Sequence, residues 1–109
     1  MNKKILIIDD DDQYVYIVSK ILISKNYTVF TAGNIEDGIA LLQEKIPDLV
    51  FLDNQLPDGL GWEKAEYILR NFPQIQLNLI TSLDIPKTSS SSFRITEKNQ
   101  LLEDLKNDF

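Results

Sequence analysis

The sequence predicts an α/β fold in which a parallel β-sheet is covered on both faces by the helices that connect its strands. Apolar runs of strand length alternate along the chain with segments whose apolar residues recur at helical spacing. This alternation is typical of parallel sheets with crossover helices. The 109 residues suffice for one core of this kind, so we predict a single domain over residues 1–109.

The first strand–helix–strand unit occupies the first third of the chain. Lys4–Ile8 is an apolar run after its lysine, as expected of a strand that is buried on both faces. A helix is predicted over residues 13–25, with Asp11 or Asp12 as its N-cap. Residues 28–31 are rich in β-branched side chains and predict a short edge strand.

The second helix and the third strand follow directly. Asn34 is a typical N-cap, and two acidic residues follow it in the first turn of the predicted helix. Pro47 marks the end of this helix. Residues 49–52 then form a second buried apolar strand that ends at Asp53. The next residues, 57–61, contain proline, aspartate and two glycines and predict a turn.

Two further strands and two further helices complete the pattern. A third helix with an apolar face ends at Pro73, and residues 75–80 predict the fourth strand. The fifth strand is predicted around residues 93–96 and leads to Lys98. Leucines at helical spacing after Lys98 predict the last helix.

The segment between the fourth and fifth strands departs from this pattern. It has about the ~10–12 residues that a crossover with a helix needs, but it contains Pro86 and the serine run 89–92, which disfavour a helix. We therefore expect a loop in place of the fourth crossover helix. Gln76 and Asn78 alternate with apolar residues in the preceding strand, and we interpret this polar face as one that no helix covers.

Acidic residues follow two of the buried strands. Residues 9–12 are four aspartates after the first strand, and Asp53 ends the third. Sites in open parallel sheets form beyond the carboxyl ends of the strands, so Asp10 and Asp53 should lie close together. Two carboxylates at ~4 Å repel each other by about 4 kcal/mol at an effective dielectric near 20. A hard cation such as Mg²⁺, which also accepts phosphate oxygens, would offset this repulsion.

Composition excludes several classes of function. The net charge of −6 argues against purely electrostatic binding to nucleic acid or to an anionic membrane. Without cysteine and histidine there can be no thiolate nucleophile, imidazole metal site or phosphohistidine on this chain. No apolar stretch approaches the ~20 residues of a membrane span, and no signal-peptide cleavage region is present, so we expect a cytoplasmic protein.

Taken together, these residues resemble the receiver domain of two-component response regulators, in the right order and over essentially the whole chain. The resemblance implies a flavodoxin-like, doubly wound five-stranded sheet in the order 2-1-3-4-5. It implies that Asp53 accepts a phosphoryl group. It also implies that Asp9, Asp10, Asp53 and the backbone carbonyl of Gln55 hold Mg²⁺.

The resemblance assigns two further residues to the phosphoryl group. Thr81, after the fourth strand, matches the switch hydroxyl, and Lys98, after the fifth, matches the phosphoryl-binding lysine. Two positions depart from the family pattern: Asn99 replaces the usual proline after the lysine, and Ile95 replaces the usual aromatic residue. Phe93 could serve in place of that aromatic only after a shift of register.

We therefore expect a stand-alone phosphoprotein of a two-component phosphorelay. Its partners would be a histidine kinase or a histidine phosphotransfer protein and an unidentified downstream protein target, with no direct contact to nucleic acid or membrane. It would not be an enzyme, although it would assist its own phosphorylation and dephosphorylation. The alternative is a degenerate pseudo-receiver that acts as a phosphorylation-independent interaction module.

Two other readings fit less well. An aspartyl-nucleophile phosphatase would need a second carboxylate two residues after Asp53, where the chain has Gln55. A nucleotide or flavin binder would need a phosphate-binding loop rich in glycine or in serine and threonine after the first strand. The aspartates at that position repel phosphate.

Overall fold

The computed structural model describes residues 3–82 and 93–107. Within them the strands are β1 (Lys4–Ile8), β2 (Thr28–Ala32), β3 (Leu49–Asp53), β4 (Gln55–Leu56), β5 (Gly59–Leu60), β6 (Gln76–Thr81) and β7 (Arg94–Glu97). The helices of these residues are α1 (Asp12–Ser24), α2 (Ile35–Lys45), α3 (Gly61–Asn71) and α4 (Lys98–Asn107).

Five of the strands form one parallel sheet in the order β2-β1-β3-β6-β7. The remaining two, β4 and β5, are two residues each and pair antiparallel directly after β3. With this small hairpin set aside, the strand order is the predicted 2-1-3-4-5. The flavodoxin-like, doubly wound sheet is therefore confirmed, and β2 is the edge strand that its β-branched sequence predicted.

The sheet separates two hydrophobic cores. On one face, Leu6 and Ile8 of β1 pack with residues of α2 and α3. On the other face, Ile5 and Ile7 pack with residues of α1 and α4. All four of these side chains are at most 1% exposed. Complete burial of such a side chain stabilises the fold by about 1.5–3 kcal/mol. Because both faces of β1 are buried, apolar side chains are favoured at consecutive positions of this strand and not only at alternate ones.

Side chains cap the first two helices as the sequence predicted. Asp11 accepts a hydrogen bond from the backbone N–H of Tyr14 at 3.2 Å, and Asn34 accepts one from that of Asp37 at 2.8 Å. At the start of α2 a carboxylate adds to the cap, since Asp58 accepts from the N–H groups of the first two helical residues at 2.8 and 3.0 Å. These bonds lower the pKa of Asp58, and they tie the β4–β5 hairpin to α2.

The polar residues of β6 do not mark a face of the sheet that no helix covers, as the sequence suggested. Asn78 is only 8% exposed, and the hydroxyl of Thr96 in β7 donates a hydrogen bond to its side-chain oxygen at 3.0 Å. Asn78 shares its face with Ile80, which belongs to the core beneath α1 and α4. The interpretation of an uncovered face is therefore wrong. The predicted loop in place of a fourth crossover helix falls in residues 83–92, outside the described residues.

Helix α3 begins in close contact with the end of β3. A Cβ atom on Gly61 would collide with the backbone carbonyl oxygen of Asp53 and would lie 3.0 Å from Cγ of Leu52. Because the first obstacle is backbone rather than a flexible side chain, the helix or the strand end would have to move. A glycine is required here for the helix to begin where it does.

We predict that Gly61→Ala lowers the free energy of unfolding by about 1–3 kcal/mol, the usual cost of forcing extra volume into a packed site. Gly33→Ala is the matched control, because a Cβ there meets nothing within 4 Å, and its effect should stay within ~0.5 kcal/mol. Urea unfolding of both variants measures the difference. Equal stabilities would show that α3 does not press on the end of β3.

Candidate functional site

The carboxyl ends of the sheet strands bring the predicted site residues to one edge. Asp9 follows β1, Asp53 ends β3 and Thr81 ends β6. Lys98 follows β7 as the first residue of α4. The strands are parallel, with Ile8 beside Leu52 and Leu52 in turn beside Leu79 of β6. All of these residues therefore lie at the same edge, where ligands of such sheets bind.

Three aspartates form the acidic centre of this edge. One carboxylate oxygen from each of Asp9, Asp10 and Asp53 lies within 4.8 Å of the others. Asp9 and Asp53 are 2% and 6% exposed, whereas Asp10 is open to solvent. The structure thus brings together the three carboxylates that the sequence assigned to one metal site.

Lys98 lies against two of these carboxylates. Its Nζ atom is 2.7 Å from Oδ2 of Asp9 and 3.8 Å from Oδ1 of Asp53. The lysine side chain is 12% exposed, and that of Asp9 is fully buried. The ammonium is therefore paired closely with Asp9 and reaches towards Asp53. One ammonium against three carboxylates leaves the cluster with excess negative charge.

Burial and charge shift the proton affinity of Asp53. Removal from water raises the pKa of its carboxyl to about 6, and the negative charge of Asp9 adds to this rise. Lys98 and the backbone N–H of Asn54 act in the opposite direction. At neutral pH Asp53 is thus still mostly ionised, and an ionised carboxylate is the form that can act as a nucleophile or bind a cation.

The donor set fits Mg²⁺. The ion prefers oxygen ligands, is typically held by one or two carboxylates and keeps several waters. The cluster offers three carboxylates with excess negative charge, and the exposed Asp10 leaves a route for entry from solvent. Asp9, Asp10 and Asp53 would hold the ion.

A polar cavity of about 400 Å³ opens beside the acidic cluster. Its walls include Asp10, Asp53, Gln55, Thr81 and Lys98. The predicted site residues other than the buried Asp9 therefore line one space, and Gln55 stands at the start of β4 as the first residue of the hairpin. Such a volume accommodates a hydrated cation together with a phosphoryl group.

Sequence reasoning missed the part of Tyr14 in this site. Its phenol donates a hydrogen bond to the backbone carbonyl of Lys98 at 3.0 Å, and the Lys98 ammonium lies 4.7 Å from the centre of its ring. The sequence places Tyr14 on the apolar face of the first helix, and its side chain is indeed buried. The contact joins residues far apart in the chain, so no local pattern could have revealed it.

Comparison with known proteins agrees with this geometry. Residues 5–100 match the family model described as the response regulator receiver domain. The chain belongs to this family. The predicted resemblance is thereby confirmed over most of the sequence.

Transcriptional regulatory proteins are among the relatives. The chain is 31% identical over 84 residues to the alkaline phosphatase synthesis transcriptional regulatory protein PhoP of Bacillus subtilis, a match that covers 77% of this chain and 35% of that protein. It is 37% identical over 78 residues to the transcriptional regulatory protein AfsQ1 of Streptomyces coelicolor, covering 72% and 34%. The chain therefore matches about a third of the length of these relatives.

Solved receiver structures share the fold. A CheY-like receiver domain protein from Methanospirillum hungatei JF-1 superposes with a TM-score of 0.83 and 25% identity, covering 97% of this chain and 92% of that one. The response regulator TrrA of Thermotoga maritima, in complex with Mg²⁺ and BeF, superposes with a TM-score of 0.80 and 25% identity, covering 95% and 96%.

The structure shows where Phe93 lies relative to Ile95, the residue that replaces the usual aromatic of the family. Phe93 and Ile95 are two residues apart, both are half-buried, and both pack against the core beneath α2 and α3. Ile95 pairs with Leu79 of β6. Phe93 therefore lies on the same side of the sheet as Ile95 but two residues before it, and Ile95 rather than Phe93 occupies the position beside Leu79.

The raised pKa of Asp53 leads to a prediction about stability in the absence of metal. The folded pKa of about 6 lies above the ordinary value of 3.8, so the ionised form destabilises the fold, and stability is gained as the pH falls through 6. We expect Asp53→Asn to be more stable than wild type at pH 7.5 by about 1–3 kcal/mol. The difference should shrink at pH 5.

Urea unfolding at both pH values, with a chelator present, measures this difference. Glu66→Gln is the control, since it removes one negative charge from an exposed position of α3 and should change stability little at either pH. A gap between wild type and Asp53→Asn that widens towards pH 5 would contradict the electrostatic account.

Proposed function

We propose that the chain is a phosphorylatable receiver domain that accepts a phosphoryl group from a phosphohistidine onto Asp53 in a Mg²⁺-dependent reaction. The observation that carries this proposal is the arrangement at one sheet edge: a carboxylate cluster that contains Asp53, with Lys98 beside it, next to a cavity that Asp53, Lys98 and Thr81 line. Membership of the receiver family supports it.

The transfer reaction would use Asp53 as the nucleophile. A carboxylate oxygen of Asp53 attacks phosphorus in line with the bond to the donor imidazole. As the new P–O bond forms, the P–N bond breaks and its electron pair returns to the imidazole nitrogen. The donor histidine must belong to a partner, because this chain has none. The product is an acyl phosphate on Asp53, which is prone to hydrolysis.

The charge of the transferred group needs compensation. When bound, Mg²⁺ would supply positive charge that reduces the repulsion between the phosphoryl oxygens and the carboxylates. Lys98, 3.8 Å from Asp53, would donate to another phosphoryl oxygen, and the Thr81 hydroxyl would donate to a third. In this way the chain would assist its own phosphorylation and dephosphorylation, without acting as an enzyme on a separate substrate.

Thr81 would link this chemistry to signalling. It is 4% exposed at the end of β6, next to the exposed Ser82. A movement of Thr81 towards a phosphoryl group on Asp53 would displace Ser82 and shift an equilibrium between two conformations. We propose that the domain passes this change to a protein partner in the cytoplasm. In the described residues no helix is both long and apolar enough to cross a membrane.

The alternative of a phosphorylation-independent pseudo-receiver has weaker support. A degenerate site would be expected to lack one of the charged groups, whereas here the three aspartates have oxygens within 4.8 Å of one another and the lysine lies against two of them. The observation in its favour is Ile95 in place of the usual aromatic residue, which concerns the relay to the surface rather than the chemistry.

The proposal predicts a covalent adduct with a small phosphodonor. Wild-type protein incubated with acetyl phosphate and Mg²⁺ should gain the mass of one phosphoryl group, as seen by intact mass spectrometry. It should gain no such mass when a chelator replaces Mg²⁺ during the incubation. Asp53→Asn should gain none, because an amide is not a nucleophile for phosphorus.

Asp12→Asn is the matched control, since Asp12 belongs to the same acidic run but is an exposed residue of the first turn of α1. It should be modified as wild type is. Wild-type protein that stays unmodified under conditions that phosphorylate another receiver domain would refute the phosphoacceptor role. So would an adduct of equal yield on Asp53→Asn.

A further inference from the structure

We propose that Tyr14 is a positioning residue for Lys98, which it holds at both ends so that the ammonium faces the phosphoryl site. The inference rests on the proposed function, because the position of Lys98 matters only if that lysine engages a phosphoryl group. Its evidence is separate: it comes from contacts between α1 and the start of α4.

The first contact fixes the backbone of the lysine. The Tyr14 phenol donates a hydrogen bond to the carbonyl oxygen of Lys98 at 3.0 Å. This carbonyl lies at the junction where β7 ends and α4 begins. The bond therefore ties the junction to α1.

The second contact supports the tip of the side chain. The Lys98 ammonium lies 4.7 Å from the centre of the Tyr14 ring, within the range at which a cation is attracted to an aromatic face. A lysine side chain has many rotamers when it is unconstrained. The ring and Asp9 together restrict these rotamers, and the ring does so without adding a second negative charge that would compete with an incoming anion.

Hydrogen bonds in the loop after β1 also connect the backbone of Tyr14 to Asp9, one of the carboxylates of the site. The backbone N–H of Asp11 donates to Oδ1 of Asp9 at 2.9 Å, and the backbone N–H of Tyr14 donates to Oδ1 of Asp11 at 3.2 Å. The Lys98 ammonium contacts the other oxygen of Asp9 at 2.7 Å. Tyr14 thus connects the loop after β1 with the start of α4, and Asp9 contacts both the loop and Lys98.

The phenol is well suited to a permanent role as donor. Tyr14 is 8% exposed, and burial together with the negative charge of Asp9 raises the pKa of its hydroxyl well above the ordinary value. Glu97, Asp53 and Asp11 act in the same direction. The hydroxyl therefore keeps its proton at neutral pH and can donate the hydrogen bond.

The test compares variants that remove the two contacts separately. Tyr14→Phe keeps the ring and loses the hydrogen bond, whereas Tyr14→Leu loses both. We expect the rate of phosphorylation by acetyl phosphate at saturating Mg²⁺ to fall about 10-fold in Tyr14→Leu and only about 2-fold in Tyr14→Phe, given the usual strength of a cation–π contact with a shielded ammonium. Affinity for beryllofluoride in the presence of Mg²⁺ should fall in the same order.

A double-mutant cycle with Lys98→Ala shows whether Tyr14 acts through the lysine. In the Lys98→Ala background, Tyr14→Leu should cause no further loss of rate, because the group that it positions is gone. Losses that multiply in the double variant would overturn the proposal. So would a Tyr14→Leu variant that reacts as fast as wild type.

Val18→Ala controls for a merely structural effect. Val18 is fully buried in the same core and on the same helix, so its truncation weakens packing without touching Lys98, and its rate should remain within about 2-fold of wild type at a temperature where it is folded. An equal loss in Val18→Ala would show that Tyr14 acts only through stability. Should Tyr14→Leu fail to fold, Tyr14→Met has a longer and more flexible side chain that can adapt to the space of the ring, and it carries the same expectation.

The outcome for wild type separates the two proposals. Wild-type protein that takes no phosphoryl group refutes the proposed function. Wild-type protein that is phosphorylated, with additive losses in the cycle, refutes the role of Tyr14 alone.

Discussion

Mutual repulsion between carboxylates held at the ends of two neighbouring strands is the constraint on which this site depends. Asp9, Asp10 and Asp53 place oxygens within 4.8 Å of one another, where each pair of full charges repels by about 4 kcal/mol. The side chains cannot separate freely, because β1 and β3 are adjacent strands of the buried sheet. Lys98 relieves part of this repulsion through its contact with Asp9. The rest can be relieved by a proton on Asp53 or by a divalent cation, and only the cation leaves Asp53 ionised for chemistry.

The remainder of the fold maintains this strained edge. Two apolar cores on opposite faces fix the sheet, and β1 contributes fully buried side chains to both. Gly61 lets α3 start against the carbonyl of Asp53, and Asp58 anchors the hairpin after β3 to α2. Tyr14 adds a tie from α1 to Lys98. Each of these contacts limits the movement of a group at the site, so the carboxylates stay together despite their charge.

Much of the fold could be predicted because it follows from local patterns. Buried runs such as Lys4–Ile8 and caps such as Asn34 are recognisable from a few adjacent residues. The acidic cluster could also be predicted, since parallel strands end at the same edge. The sequence could not reveal that Asp58 caps α2 or that Tyr14 holds Lys98, because these contacts join residues distant in the chain. The prediction of an uncovered face on β6 was wrong for a related reason: Asn78 is buried, and its hydrogen-bond partner Thr96 is on another strand.

A divalent cation should stabilise the fold by neutralising the carboxylate cluster. Urea unfolding of wild-type protein with increasing Mg²⁺, against NaCl at matched ionic strength, tests this expectation. A ligand that binds only the folded state raises the free energy of unfolding by RT ln(1 + [L]/Kd). We expect stability to rise with Mg²⁺ well beyond the effect of NaCl, and to rise less when Asp10 is replaced by alanine. An unfolding midpoint that responds equally to both salts would contradict the account.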